Sequence, residues 1–111
     1  MSTRANIFIE ENEKDLLRGC LYCHYDGYPS GVGLTLAGIL NTIPKDKRNQ
    51  MGKAELTRHI AEVGSYELIS PDGAPDASYA YTVDLEKRSV TYEDLWTHKK
   101  DWLCDFSKLE R

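Results

Sequence analysis

Asp26-Gly27-Tyr28-Pro29-Ser30-Gly31 is the segment that most restricts the fold. Proline has no amide proton and a fixed φ, so neither a central strand nor a helix interior can run through Pro29. The apolar period changes across this segment. Before it, residues 5–10 alternate, with Ile7 and Ile9 on one face and Phe8 on the other. Residues 16–25 also read as extended: Leu17, Leu21, Cys23 and Tyr25 share one face, and Arg18, Cys20, Tyr22 and His24 share the other. With a polar turn at residues 11–14, the two runs predict an N-terminal hairpin. After Pro29, the spacing of Val32, Leu36, Ile39, Leu40 and Ile43 is that of a helix buried on one side. Ser30 is its expected N-cap, and Pro44 ends it. A chain that changes period in this way is neither all-β nor all-α.

The remainder extends the same plan. Residues 45–51 read as a polar loop. A second helix is predicted over residues 52–63, with Leu56, Ile60 and Val63 inward and Gly64 as its C-terminal stop. Residues 66–69 are short and apolar, and Ser70 to Asp76, with two prolines and a glycine, must be a surface loop. Tyr79, Tyr81, Val83 and Leu85 alternate with Ala80, Thr82 and Asp84, and residues 89–92 return as the partner strand. In the tail, Trp102, Leu103 and Phe106 fall at helical spacing. The expected fold is α+β, a single domain over residues 1–111, in the order β-β-α-α-β-β. A mainly antiparallel sheet is packed against two helices.

Charge and size then narrow the function. The 111 residues carry a net charge of −4, with acids scattered rather than blocked. Direct DNA binding is not expected without a basic face, and a DNA mimic would need far denser acid. No apolar run approaches the roughly 20 residues that cross a bilayer, and no apolar export core follows Met1. The expectation is a cytoplasmic protein with no membrane partner.

Cys20-Leu21-Tyr22-Cys23-His24 spells a haem-attachment string, yet on a strand its two thiols point to opposite faces. The same geometry splits a zinc set made of these residues and Cys104. The cysteines read as small buried hydrophobes. No cofactor, metal or catalytic residue is expected. Neither a nucleophile elbow nor a phosphate-cradling glycine loop is present.

Two constellations remain. His24, Asp26 and Tyr28 flank the proline turn, either as a rigid corner or as the rim of an anion-favouring pocket at a helix N-terminus. As a corner, Asp26 would cap local amides and Gly27 would supply a positive φ. Lys45, Lys47, Arg48, Lys53 and Arg58 form a basic cluster, either solvated or suited to a phosphate. His59 reads as a helix-flank residue. Seven tyrosines and two tryptophans, Trp96 and Trp102, are many for this length, and suit either sheet packing or an interface.

Ser2-Thr3-Arg4-Ala5-Asn6-Ile7, together with His24-Tyr25-Asp26-Gly27-Tyr28-Pro29 and the later Asp76 and Tyr79-Ala80-Tyr81-Thr82-Val83-Asp84, resembles a loosely defined group of small phage and prophage proteins. The likeness covers about a third of the chain. Cys23 stands where that group has an arginine, so any role of that arginine does not carry over. The resemblance implies a phage-encoded, non-enzymatic protein working in the host cytoplasm against host defence, as small anti-CRISPR-like inhibitors do. Two mechanisms follow, and a small enzyme of unknown class stands third. In one, Trp96, Trp102 and exposed tyrosines dock on a host defence protein or complex. In the other, an oligomer, with a homodimer the simplest case, holds a nucleotide-like ligand with Lys47, Arg48, His24 and Tyr28.

Overall fold

A computed structural model describes residues 3–12 and 14–105 of the chain. Six strands form one sheet in the spatial order β3-β2-β1-β4-β5-β6. In chain order they are β1 (Ala5–Glu10), β2 (Gly19–Cys23), β3 (Glu67–Ile69), β4 (Tyr79–Asp84), β5 (Ser89–Asp94) and β6 (Lys99–Asp105). Every pairing is antiparallel except β1 with β4. Helices α1 (Leu34–Thr42), α2 (Lys45–Gln50) and α3 (Lys53–Gly64) lie between β2 and β3 in sequence. The fold is α+β, as expected, with three helices rather than two among the described residues and a further strand, β6, in the aromatic tail, where the spacing suggests a helix.

The alternation in the sequence predicts the layers well. Ile7, Ile9, Leu21, Cys23, Tyr81, Val83 and Val90 meet Val32, Leu36, Ile39, Leu40, Ile43, Leu56 and Ile60 in one buried cluster. Burying an aliphatic side chain of this size stabilises by about 1.5–3 kcal/mol, so this face dominates the core. Among the described residues, no helix covers the opposite face of the sheet. It is partly covered by the loop at residues 70–77, which exchanges two hydrogen bonds with Asn6: Nδ2 to the Ala74 carbonyl at 3.1 Å, and the Ala74 amide to Oδ1 at 3.0 Å. On this face the Arg18 guanidinium lies 3.7 Å from the centre of the Phe8 ring and donates to the Pro71 carbonyl.

Several local expectations are corrected. The second extended run starts at Gly19, because Asp15 organises the preceding turn. Its carboxylate accepts from the amides of Glu11 and Leu17 and pairs with Lys53 Nζ at 2.7 Å. Leu17 is thereby turned away from Leu21 and is 79% exposed. Ser30 does not cap α1. A π-helical turn over Pro29–Gly33 precedes that helix, with Pro29 in its first turn and no side-chain cap. Proline suits a first turn, where its missing amide would have no helical partner.

The expected loop at residues 45–51 is α2. Its Asp46 lies in the first turn and its Lys47 and Arg48 in the last, the charge order that the helix dipole favours. Val63 is exposed, and Ser65 rather than Gly64 takes the left-handed conformation after α3. Gly64 is needed for space instead, since a Cβ there would collide with the Tyr66 ring. Trp102 and Leu103 lie on β6, whose pairing with β5 shifts register at Val90/Thr91, so their helical spacing has no helical meaning. Phe106 lies outside the described residues.

Candidate binding surface

Strand register places the candidate residues. Ala5 pairs with Cys23 on one side and Tyr79 on the other, and Tyr79 pairs with Asp94. The turn that follows Cys23 and the turn that follows Asp94 therefore leave the same end of the sheet. His24, Asp26 and Tyr28 project from the first, and Trp96 from the second.

The first turn is anchored from below. Gly27 donates to the Thr3 carbonyl at 2.9 Å, and its carbonyl accepts from the buried Tyr81 hydroxyl at 2.6 Å. A Cβ on Gly27 would stand 2.8 Å from the Arg4 carbonyl carbon and 2.9 Å from the Ala5 Cβ. Gly27 is required for this close approach. The positive φ, 56°, belongs to Asp26. The Asp26 side chain does not cap amides; it accepts from the Tyr28 hydroxyl at 2.9 Å. That carboxylate raises the Tyr28 hydroxyl above the ordinary tyrosine range, since an anion beside it disfavours a second one. His24 Nδ1 lies 3.1 Å from the Tyr22 hydroxyl and 3.3 Å from Arg4 Nε, and its ring meets Tyr25 edge-on at 4.6 Å. Arg4 also pairs with Asp76 at 3.2 Å. The corner is thus a rigid, exposed cluster of rings and opposed charges.

Lys47 and Arg48 are elsewhere. Helix α2 leads to Met51, which lines a surface depression with Glu11, Leu85 and Glu86 at the C-terminal ends of β1 and β4. That is the opposite end of the sheet from His24. Arg48 is fully buried and donates to the carbonyls of Leu40, at 2.8 Å, and Ile43, at 3.4 Å. It closes the end of α1 and cannot reach a ligand, and Lys47 stands exposed without it. Of the basic residues grouped in the sequence, Arg48 is inside, Lys47 stands at the far end of the sheet from His24, and Lys53 and Arg58 line one groove beside α3.

Burial also governs the thiols. It pushes Cys20 up to about 11 and raises Cys23 and Cys104, Arg48 partly opposing the rise at Cys104. Protonated at neutral pH, they are poor nucleophiles and poor metal ligands. The Cys23 thiol donates to the Tyr25 carbonyl at 2.8 Å. Among the described residues, no three His, Cys, Asp or Glu side chains form a group that could hold a metal ion.

Two grooves were not foreseen. On the open face of the sheet, a groove of about 640 Å³ has Ala80, Thr82 and Thr91 along its floor. Its charges are mixed: Glu10, Asp72, Asp84 and Glu93 against Arg18, Lys87 and Lys100. Trp102 pairs with Thr91 and so stands on this same face. The second groove, about 530 Å³, is apolar and lies between α3 and the β3 edge, between Ala54, Ala61, Leu17 and Leu68. Leu17, an apolar residue next to a polar turn, is the sequence signal that marks it. Trp96 and Trp102 are 82% and 60% exposed, both on the β5–β6 hairpin. Comparison of the chain with protein-family models, curated proteins and solved structures returns no match.

Proposed function

We propose that this chain is a phage- or prophage-encoded binding protein that acts without catalysis. In this reading it docks through the β5–β6 hairpin on a host defence protein. The observation that carries the docking is the exposure of Trp96 and Trp102 on one hairpin. Leaving two such surfaces in water is unfavourable for a lone molecule, and tryptophan is among the residues that dominate binding energy at protein interfaces. The phage setting rests on the resemblance carried by residues 2–7 and 24–29.

The nucleotide-sequestering reading asks for cations that converge on one concave site. Against it stand the burial of Arg48 and the placement of Lys47 at the far end of the sheet from His24 and Tyr28. The groove on the open face carries more acid than base, which disfavours a phosphate.

The test is phage plating on a panel of bacterial strains, each carrying one active defence system and expressing the chain. Wild-type protein is expected to restore plating in at least one strain. The Trp96→Ala/Trp102→Ala double variant is expected to return plating to the empty-vector level, while Tyr28→Phe keeps the wild-type effect. No relief in any strain overturns the anti-defence reading. Relief that survives loss of both tryptophans overturns the docking surface, and a rise in melting temperature with cyclic nucleotides would favour sequestration.

A further inference from the structure

The groove on the open face of the sheet is not charged evenly along its length. Where β1 and β4 end, Glu10 and Asp84 are register partners, and both line the groove. They are only 6% and 8% exposed. Two carboxylates side by side and largely out of water are costly unless cations or donors answer them. Glu10 is answered by Arg18, whose Nη1 stands 3.8 Å from Oε2 while the guanidinium lies over the Phe8 ring. Asp84 is answered on one oxygen. Its Oδ1 accepts from the Lys87 amide at 2.9 Å, and among the described residues nothing donates to Oδ2. Asp72, beside Arg18, adds a third carboxylate at this end. The Lys87 side chain, on an exposed turn, makes no ion pair among the described residues. Three carboxylates against Arg18 and Lys87 leave one negative charge. At the other end Glu93 and Lys100 are cross-strand partners and cancel.

From the open oxygen of Asp84 we infer that this end of the groove seats one basic side chain, an arginine, of the protein on which the β5–β6 hairpin docks. That the arginine belongs to a docked protein rests on the docking reading above; that the groove takes a cation rests on Asp84. The two surfaces are continuous, because Trp102 pairs with Thr91 and stands on the groove face. From there Thr91 and Ser89 lead to Asp84, the register partner of Ser89, and these small side chains let a long one lie along the sheet. The excess of one negative charge fits a monovalent organic cation. A guanidinium is a planar fork with five donors, so it can bond Asp84 Oδ2 and still reach a carboxylate on the next strand, roughly 4.8 Å away. A metal ion is poorly served, since among the described residues no three His, Cys, Asp or Glu side chains converge. The seat is preformed: the wall at residues 72–75 is held by the two bonds to Asn6, so little ordering is needed on binding.

The test is an NMR titration of the isotope-labelled full chain with acetyl-Gly-Arg-Gly-amide at constant ionic strength, up to about 20 mM. The matching citrulline peptide, equal in shape and uncharged, is the control. The arginine peptide is expected to give saturable shifts at the amides of Thr82, Asp84, Lys87 and Ser89, with a dissociation constant of about 1 to 10 mM. The citrulline peptide should leave those amides in place. Asp84→Asn keeps an acceptor for the Lys87 amide, so the chain should stay folded, and it should weaken binding by at least about fivefold. Lys87→Ala removes a competing cation and should strengthen binding. No saturable shift, equal shifts with citrulline, or binding undiminished in Asp84→Asn each overturns the seat. The titration needs no host protein, so its failure is separate from that of the defence reading. Plating relief by a chain that does not bind the peptide overturns the seat and leaves the docking hairpin standing. Peptide binding without relief in any strain keeps the seat and overturns its assignment to a docked defence protein.

Discussion

Two polar segments at opposite ends of the sheet, residues 24–29 and α2, look alike in sequence and are built on opposite plans. In the first, backbone is buried and side chains are turned out. Gly27 is pressed onto Arg4 and Ala5 and held by Tyr81, while His24, Asp26 and Tyr28 face solvent. In the second, the backbone is a short surface helix and one side chain, Arg48, is turned in. A charged residue in a polar stretch is therefore no guide to where its charge lies. In α2 the neighbour of an exposed lysine is an internal strut.

The comparison is tested most severely at α2. Arg48→Ala removes the donor to the Leu40 and Ile43 carbonyls and leaves a cavity, with an expected loss of about 3–5 kcal/mol in urea unfolding. Lys47→Ala, one residue away, should change stability by less than about 0.5 kcal/mol. Equal effects at the two positions would mean that Arg48 is solvated and that the two segments do not differ.

At the other end the anchor should cost less. Gly27→Ala forces a Cβ against the Arg4 backbone, for an expected loss of about 2 kcal/mol. Tyr81→Phe, which removes only the hydroxyl that bonds the Gly27 carbonyl, should lose about 1 kcal/mol. His24→Ala should leave thermal stability nearly unchanged, because its ring is outside the core.

The smallest effect is electrostatic and separates two tyrosines of the same corner. Burial, with smaller contributions from neighbouring ionisable groups, raises Tyr81 far above the ordinary 10.0, whereas the Asp26 carboxylate raises Tyr28. A spectrophotometric titration of Asp26→Asn should bring the Tyr28 transition back toward the ordinary value and leave Tyr81 in place. The sign for stability follows from Tyr81: the unfolded chain ionises it near 10.0 while the folded chain keeps it neutral. Stability is full below that pH and falls as pH rises above it. The shift of Cys20, from 9.0 up to about 11, acts in the same direction and begins lower, near pH 9. Both losses should persist in Asp26→Asn, and a loss abolished by that variant would mean that Tyr28 dominates.

Much of the fold was legible because alternation and helical spacing report directly on which side chains must leave water. Ile7, Ile9, Tyr81 and Val83 face the core, as do Val32, Leu36, Ile39, Leu40 and Ile43, and the change of period at Pro29 falls where strand gives way to helix. The exceptions are segments where a single polar contact decides. The Asp15 carboxylate takes Leu17 out of β2, and the fit of Arg48 under the end of α1 makes a helix of residues that read as loop. Helical spacing in the tail misled because a strand bearing a register shift also breaks simple alternation.

The candidate surface divides in the same way. Sequence alone placed His24, Asp26, Gly27, Tyr28 and Pro29 in one turn between strand and helix, since turn chemistry is local. It left a rigid corner and a pocket rim as alternatives, and assigned the positive φ to Gly27 rather than Asp26. It also showed that Trp96 and Trp102 needed either a core or a partner. Only the tertiary structure decided that the tryptophans stay outside, that Arg48 goes inside while Lys47 stays out, and that β3 is left as an apolar edge. Local geometry is written in neighbouring residues. Exposure and convergence depend on which strands become edges and which helix ends need closing, and that is settled by contacts between residues far apart in the chain.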